Sequence, residues 1–279
     1  MAKFLKLGDK TLYFSRPLVM GILNVTDDSF YDGGRYTSEK VLIERIHKIV
    51  EEGGNIIDVG AYSTRPGAET VSAEEEILRL SWAVELIRKY FPAIPISVDT
   101  FRADVAKEVF TCMGPVIIND ISGGTMTEGM FDFVASTGLP YILMHIQGEP
   151  HTMQQSPRYG NVVEEVRAFL SERIKELNRK GFDNIVLDPG FGFGKTLEHN
   201  YILMRELERF KRMGYPVLVG ISRKSMIYEL IGGQPQDALN GTTVLNTVAL
   251  LKGADILRVH DVKEAVEAVK IYRKLIPEV

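Results

Sequence analysis

Apolar residues in this chain fall into short runs, and several of these runs break off at a small polar residue. Ile96-Ser97-Val98, introduced by Pro95, stops at Asp99; Val116-Ile117-Ile118 stops at Asn119; Ile185-Val186-Leu187 stops at Asp188. Runs this short without clean alternation read as strands buried on both faces, as in a parallel sheet. Between them the apolar spacing changes to the three-and-four rhythm of amphipathic helices. Strand candidates begin near Leu18, Asn55, Pro95, Val116, Tyr141, Asn184, Pro216 and Asp255. Helical periodicity covers residues 38–52, 73–90, 103–111, 127–137, 161–180, 197–211, 236–252 and 262–275.

Eight strands alternating with eight helices predict an α/β fold, a single (β/α)8 TIM barrel. A doubly wound open sheet would alternate in the same way, but the even spacing and the lack of a dinucleotide fingerprint favour the barrel. The connections add a polarity. Helices return to strands through brief Gly/Pro punctuation such as Gly53-Gly54, Gly114-Pro115 and Gly253. Strand-to-helix connections at residues 24–37, 60–72 and 145–160 are longer and more polar. Elaborated loops on one face mark the active-site end of a barrel. No linker or low-complexity tract interrupts the pattern, so residues 1–279 are read as one domain with its barrel core at about 17–275.

Composition narrows the partners. A chain of 279 residues suits an α/β barrel of about 250 residues. A net charge of −4 argues against bulk nucleic-acid binding, which needs a basic face, so an anionic substrate needs a local cationic cluster. One cysteine, Cys112, excludes an intramolecular disulfide and a multi-cysteine zinc site, and is expected to be a small buried apolar residue. Residues 1–16 carry no signal-peptide pattern and no apolar stretch is long enough for a membrane span, which predicts a cytoplasmic protein without a membrane partner.

Candidate chemistry gathers where the strands end. Asp99, Asn119 and Asp188 converging there would give two carboxylate acceptors and one amide that donates and accepts. Helix capping, metal ligation and recognition of a nitrogen-rich ring are all open to such a set. The first candidate strand leads into Asn24-Val25-Thr26-Asp27-Asp28-Ser29-Phe30-Tyr31-Asp32, a polar loop able to cover a ligand. The second leads into Thr64-Arg65-Pro66, where Arg65 suits a phosphate or carboxylate. After Asp188 comes Pro189-Gly190-Phe191-Gly192-Phe193-Gly194-Lys195-Thr196. A phosphate-binding loop fails here because the required first glycine is Pro189, and a dinucleotide motif fails because Lys195 replaces its last glycine. A Gly/Phe loop able to face an aromatic ligand remains. Lys224 opens a predicted helix next to Ser225, and Arg258 and His260 lie on one side of the last strand. Together they form a candidate diphosphate or carboxylate site.

From about Met20 to His260, eight ordered segments resemble the dihydropteroate synthase family: MGILNVTDDSFYDGG, DVGAYSTRPGA, SVDTFR, IINDISGG, LMHIQGEPHTMQ, LDPGFGFGKT, GISRKS and LRVHDV. The resemblance implies a (β/α)8 barrel, usually a homodimer, that joins 6-hydroxymethyl-7,8-dihydropterin diphosphate to 4-aminobenzoate with Mg2+. It implies that Asp99, Asn119, Asp188 and Lys224 hold the pterin, with Met144 on its face. It gives Asn24 to Mg2+ or diphosphate and Arg258 and His260 to diphosphate oxygens. It gives 4-aminobenzoate to Thr64, Arg65, Pro66, Phe193 and Ser225, with Phe30 and Asp32 brought in by loop closure. Asp32, Lys224, Arg258 and His260 are the implied catalytic set. Two positions depart from the family, which commonly has Pro at Asp27 and Glu at Tyr62. A pterin-binding methyltransferase would share the ring-edge residues but has no diphosphate to hold. A non-catalytic pterin-binding paralogue is opposed by intact Phe30, Asp32 and Arg65.

Overall fold

A computed structural model describes residues 4–25, 35–62, 71–149 and 152–276, with the backbone alone at 35–38. An antiparallel hairpin, β1 (Phe4–Leu7) and β2 (Lys10–Tyr13), precedes eight parallel strands. These are β3 (Leu18–Asn24), β4 (Ile56–Gly60), β5 (Ile96–Asp99), β6 (Ile117–Asp120), β7 (Tyr141–Met144), β8 (Ile185–Asp188), β9 (Leu218–Val219) and β10 (Ile256–Val259). Their order is β8-β7-β6-β5-β4-β3-β10-β9. The two ends meet at a parallel bridge between Leu187 and Val217, where the Leu187 N–H donates to the Pro216 carbonyl at 2.8 Å. The sheet closes, and the doubly wound alternative is excluded.

Every expected strand is present, starting no more than two residues from where the pattern put it. Residues just ahead of the strands serve the barrel floor instead of the ladder. Asn55 Oδ1 accepts the Val19 N–H at 2.9 Å, and Asp255 Oδ2 accepts the Val217 N–H at 2.8 Å. Asn184 accepts the Lys6 N–H at 3.1 Å and donates to the Lys6 carbonyl at 2.7 Å, which ties the hairpin to the floor. Leu5 and Leu7 pack there against Met20, Ile56, Ile117, Ile142, Val186 and Ile256 and plug the barrel. The hairpin was absent from the sequence reading, although Phe4-Leu5-Lys6-Leu7 alternates and Gly8-Asp9 is a turn signal.

The outer helices are α1 (Arg35–Glu51), α2 (Ala73–Tyr90), α3 (Ala103–Met113), α4 (Met130–Thr137), α5 (Val162–Arg179), α6 (Leu197–Arg205), α7 (Glu208–Lys211), α8 (Ser225–Ile231), α9 (Leu239–Leu251) and α10 (Val262–Leu275). The helix expected over 197–211 is divided into α6 and α7, and the one expected from 236 begins with a short 3-10 turn at Pro235–Ala238. Cys112 overturns its expectation: it is exposed, on the last turn of α3, with Sγ 3.3 Å from Glu108 Oε1. Val105, Ala106 and Val109 form the buried face of that helix, and Cys112 stacks above Glu108 on the wet side. Among the described residues no helix is long and apolar enough to cross a membrane.

Candidate active site

Strand register sets the site. Asn24 pairs with Gly60, Gly60 with Asp99, and Asp99 with Asn119, so four consecutive strands end side by side. On β7 and β8, Met144 pairs with Asp188. Inward alternation then aims Asn24, Asp99, Asn119, Met144 and Asp188 into the C-terminal mouth. A Cβ on Gly60 would stand 3.6 Å from Asp99 Cβ and 3.7 Å from Asn24 Oδ1, so this glycine lies between the two side chains.

Two residues before Gly60 on β4, Asp58 is fully buried and organises this layer. Asn119 Nδ2 donates to both Asp58 oxygens at 3.2 and 3.3 Å. Arg258 Nε donates to Asp58 Oδ2 at 2.6 Å, and its Nη2 donates to Asp99 Oδ2 at 2.7 Å. A guanidinium thus bridges two carboxylates, a geometry its rigid fork favours. Burial and the Asp58 charge push the Asp99 carboxyl up to about 7, with Arg258 opposing them, although 22% of the Asp99 side chain reaches the open mouth. Both carboxylates raise Arg258. Asp58 was not among the residues singled out from the sequence: the Ile56-Ile57 run breaks at it, but it lies two residues before the end of its strand.

Lys224 approaches Asp188 from the far side. Its ammonium donates to the Phe191 carbonyl and lies 4.4 Å from the Phe193 ring centroid. Burial lowers its pKa to about 8, with the Asp188 charge acting in the opposite direction. Asp188 is raised by burial and lowered by Lys224, and its Oδ1 accepts the Gly190 N–H at 2.7 Å. The Gly/Phe loop owes its glycines to close packing. A Cβ on Gly190 would fall 1.9 Å from the His145 carbonyl oxygen, and one on Gly192 would fall 3.0 Å from Lys224 Cδ. No phosphate loop forms: Thr196 caps α6, and Lys195 is buried with Nζ 2.9 Å from the Phe193 carbonyl and 3.0 Å from His145 Nδ1. Burial and that lysine push His145 down to about 3.

His260 follows β10. Its Nδ1 lies 3.0 Å from Ser222 Oγ, its N–H donates to the same oxygen at 3.1 Å, and its carbonyl accepts Arg45 Nη2 at 2.7 Å. Burial, then the Arg258 charge, lower its pKa to about 4, so the ring is neutral at pH 7. Arg223 holds this corner in a left-handed conformation, φ 55°, with bonds of 2.8 Å to both Asp261 oxygens. Ser225 begins α8, beside Lys224.

One wall of the mouth is apolar: Met144, Ile121, Ile146 and Met153 are buried together, with Phe101, Met126 and Phe193 packed on them. The metal alternative for Asp99, Asn119 and Asp188 loses ground, because Arg258 and Lys224 already face these groups. Among the described residues no group of three His, Cys, Asp or Glu side chains forms a metal cage. Asp27, Phe30, Asp32, Thr64, Arg65 and Pro66 lie outside the described residues.

Comparison with known proteins decides the family. The pattern of pterin binding enzymes matches residues 20–260. The chain belongs to the pterin-binding enzyme family. Within it, the dihydropteroate synthase of Escherichia coli K12 is 46% identical over 264 residues, 94% of this chain and 92% of that one. A Yersinia pestis dihydropteroate synthase, crystallised with a sulfonamide drug complex, has a TM-score of 0.90 at 41% identity, covering 98% of both chains. The Xanthomonas albilineans enzyme with 4-aminobenzoic acid also has a TM-score of 0.90, at 38% identity, covering 99% of this chain and 100% of that one. These relatives are transferases of folate synthesis.

Proposed function

We propose that this chain is a dihydropteroate synthase, joining 6-hydroxymethyl-7,8-dihydropterin diphosphate to 4-aminobenzoate and releasing diphosphate. The observation that carries the reading is the layer of Asp99, Asn119, Asp188 and Lys224, set beneath the wall of Met144 and Phe193. An aminopyrimidinone edge presents adjacent N–H donors and ring acceptors. The carboxylates accept from the ring donors, and the Lys224 ammonium donates hydrogen bonds to the ring acceptors. Asp58 holds the Asn119 amide nitrogen and thereby turns its oxygen toward a ring N–H.

The reaction breaks the pterin methylene C–O bond, whose electron pair leaves with the diphosphate. The dihydropterin ring delocalises the resulting cation, the aniline nitrogen forms the new C–N bond, and its proton passes to solvent. No strong general base is required. Arg258 supplies fixed positive charge to the leaving group, with Nε and Nη2 already committed to Asp58 and Asp99. Neutral His260 supplies a hydrogen bond, and the departing charge favours its protonation. Asn24 is exposed beside this corner, and its amide oxygen suits Mg2+, which takes one or two protein oxygens and keeps its remaining places for phosphate and water. When bound there, Mg2+ would neutralise diphosphate charge. Thr64, Arg65, Pro66, Phe193 and Ser225 are assigned to 4-aminobenzoate, with Phe30 and Asp32 covering it. The relative crystallised with 4-aminobenzoic acid supports this substrate.

A homodimer belongs to the same proposal. Val244 and Leu251 on α9 and Ile271 and Leu275 on α10 are exposed, and these two helices pack together. We place the enzyme in the cytoplasm, because a charged diphosphate ester does not cross a membrane unaided. The decisive experiment is a coupled assay of diphosphate release with and without 4-aminobenzoate. Aminobenzoate-dependent release is expected; release independent of it, or none, overturns the synthase reading.

A further inference from the structure

The lysine of Gly194-Lys195-Thr196 serves no phosphate loop, yet it is only 3% exposed. Its Nζ lies 2.9 Å from the Phe193 carbonyl, 3.0 Å from His145 Nδ1 and 3.4 Å from the His145 carbonyl. All three partners are neutral, because burial and the lysine's own charge hold the imidazole down at about 3. Three acceptors match the three N–H donors of an ammonium. Burial pushes Lys195 well below its ordinary range, and the Asp188 charge opposes that push. A methionine would fill the same space without the desolvation cost, so the amine is explained by what it holds.

What it holds is a tight turn. The Phe193 N–H donates to the Gly190 carbonyl at 3.1 Å, and Gly190 and Gly192 are left-handed, with φ of 72° and 79°. A Cβ on Gly190 would stand 3.3 Å from Lys195 Nζ, so the turn wraps directly over the amine. At the rim, half-buried Tyr159 donates to the Gly194 carbonyl at 2.9 Å and exposed Gln154 donates to the Gly192 carbonyl. Lys195 holds the same turn from beneath.

The turn in turn serves the polar layer of the mouth. The Gly190 N–H donates to Asp188 Oδ1 at 2.7 Å. The Phe191 carbonyl accepts from the Lys224 ammonium, which also lies over the Phe193 ring. Phe193 packs on the wall that contains Met144. One buried amine therefore ties together His145 at the end of β7, the turn after β8 and, through Phe193, Lys224 after β9.

We propose that Lys195 is a positioning residue for the pterin: by holding the Phe193 carbonyl it sets the Phe193 ring and, through that ring, the Lys224 ammonium. The inference rests on the assignment of Asp188 and Lys224 to the pterin. A turn fixed before the ligand arrives has less freedom to lose on binding, so loss of the amine is read in pterin affinity.

Calorimetric titration of the full chain with pterin diphosphate tests this. Lys195→Met keeps the bulk and removes the donors, and is expected to weaken binding about tenfold. Phe193→Leu should weaken binding as well. Because both substitutions act at one point, the double variant should bind within about twofold of the weaker single one. Asp58→Asn acts from β4, four strands from β8 in either direction around the barrel, so its effect should multiply with that of Lys195→Met. Lys195→Gln keeps one neutral amide donor on a shorter stem and should weaken binding about threefold. It carries the test if Lys195→Met does not fold. Parental affinity in the folded Lys195 variants, or a loss that multiplies with Phe193→Leu and follows the melting temperature, would reduce the lysine to a structural role and overturn the proposal. Lys224→Ala is the separate control. If it leaves the affinity unchanged, the pterin assignment fails; if it weakens binding while the Lys195 variants do not, the positioning role fails.

Discussion

Asn119 donates to Asp58 through its amide nitrogen, at 3.2 and 3.3 Å to the two carboxylate oxygens. An ionised carboxylate only accepts, so this contact dictates which end of the amide faces the ligand. Asp58 also holds Arg258, so under the proposed roles one buried group would support both ring recognition and leaving-group charge. Asp58→Asn keeps the shape and removes the charge. It should weaken pterin diphosphate binding at least tenfold, about 1.4 kcal/mol, by calorimetry. It should also let Asp99 titrate below its value of about 7, since Asp58 is one of the groups that raise it. Unchanged affinity would detach Asp58 from the site.

Lys224 gives the site an alkaline limit. Its pKa of about 8 means that the cation is lost above that pH, and pterin diphosphate affinity should fall there. Stability moves the other way. Between about 8 and its ordinary 10.5 the unfolded chain holds the proton that the folded chain has lost, so this group's contribution to stability rises with pH. Calorimetric titration across pH 7–10, paired with melting curves, separates the two. Lys224→Ala should weaken binding at least tenfold and abolish the alkaline limb.

His260 should be neutral in the free enzyme. Its folded pKa of about 4 lies below the ordinary 6.5, so its contribution to stability is full above 6.5 and is lost as pH falls through about 4. Proton-detected titration of the imidazole should show that value, and added inorganic diphosphate should raise it. His260→Ala should mainly slow single-turnover diphosphate release. A parental rate in that variant would remove the leaving-group role.

Two glycines in one loop should give different phenotypes. Gly190→Ala places a methyl against the rigid His145 carbonyl and should lower the melting temperature sharply. Gly192→Ala presses on the flexible stem of Lys224, at a position with φ 79°. It carries the left-handed penalty of about 1–2 kcal/mol and should in addition weaken pterin binding. Equal affinities in the two variants would contradict the placement of Lys224.

Sulfonamides resemble 4-aminobenzoate, and the Yersinia pestis relative was crystallised with a sulfonamide drug complex. Inhibition here should be competitive with 4-aminobenzoate. A purely non-competitive pattern would contradict the shared subsite.

The barrel was legible in the amino-acid sequence because its signals are local. Short unbroken apolar runs rich in β-branched residues read as buried strands, three-and-four spacing buries one helical face, and Gly/Pro punctuation stops each element. The same runs exposed Asp99, Asn119 and Asp188 as strand ends, and eight short motifs carried the resemblance to a known family. What local signals cannot carry is which strand ends face each other. Asp58 and Arg258 are 200 positions apart in sequence and 2.6 Å apart in space, and only barrel closure and strand register bring them together. For the same reason the capping, metal and ring readings of the three strand ends stayed open until Arg258 and Lys224 stood beside them. Cys112 marks the opposite limit: burial depends on how a helix turns against its neighbours, and packing put this thiol in solvent. Sequence fixes period and chemistry along the chain; convergence depends on long-range packing, which no local window contains.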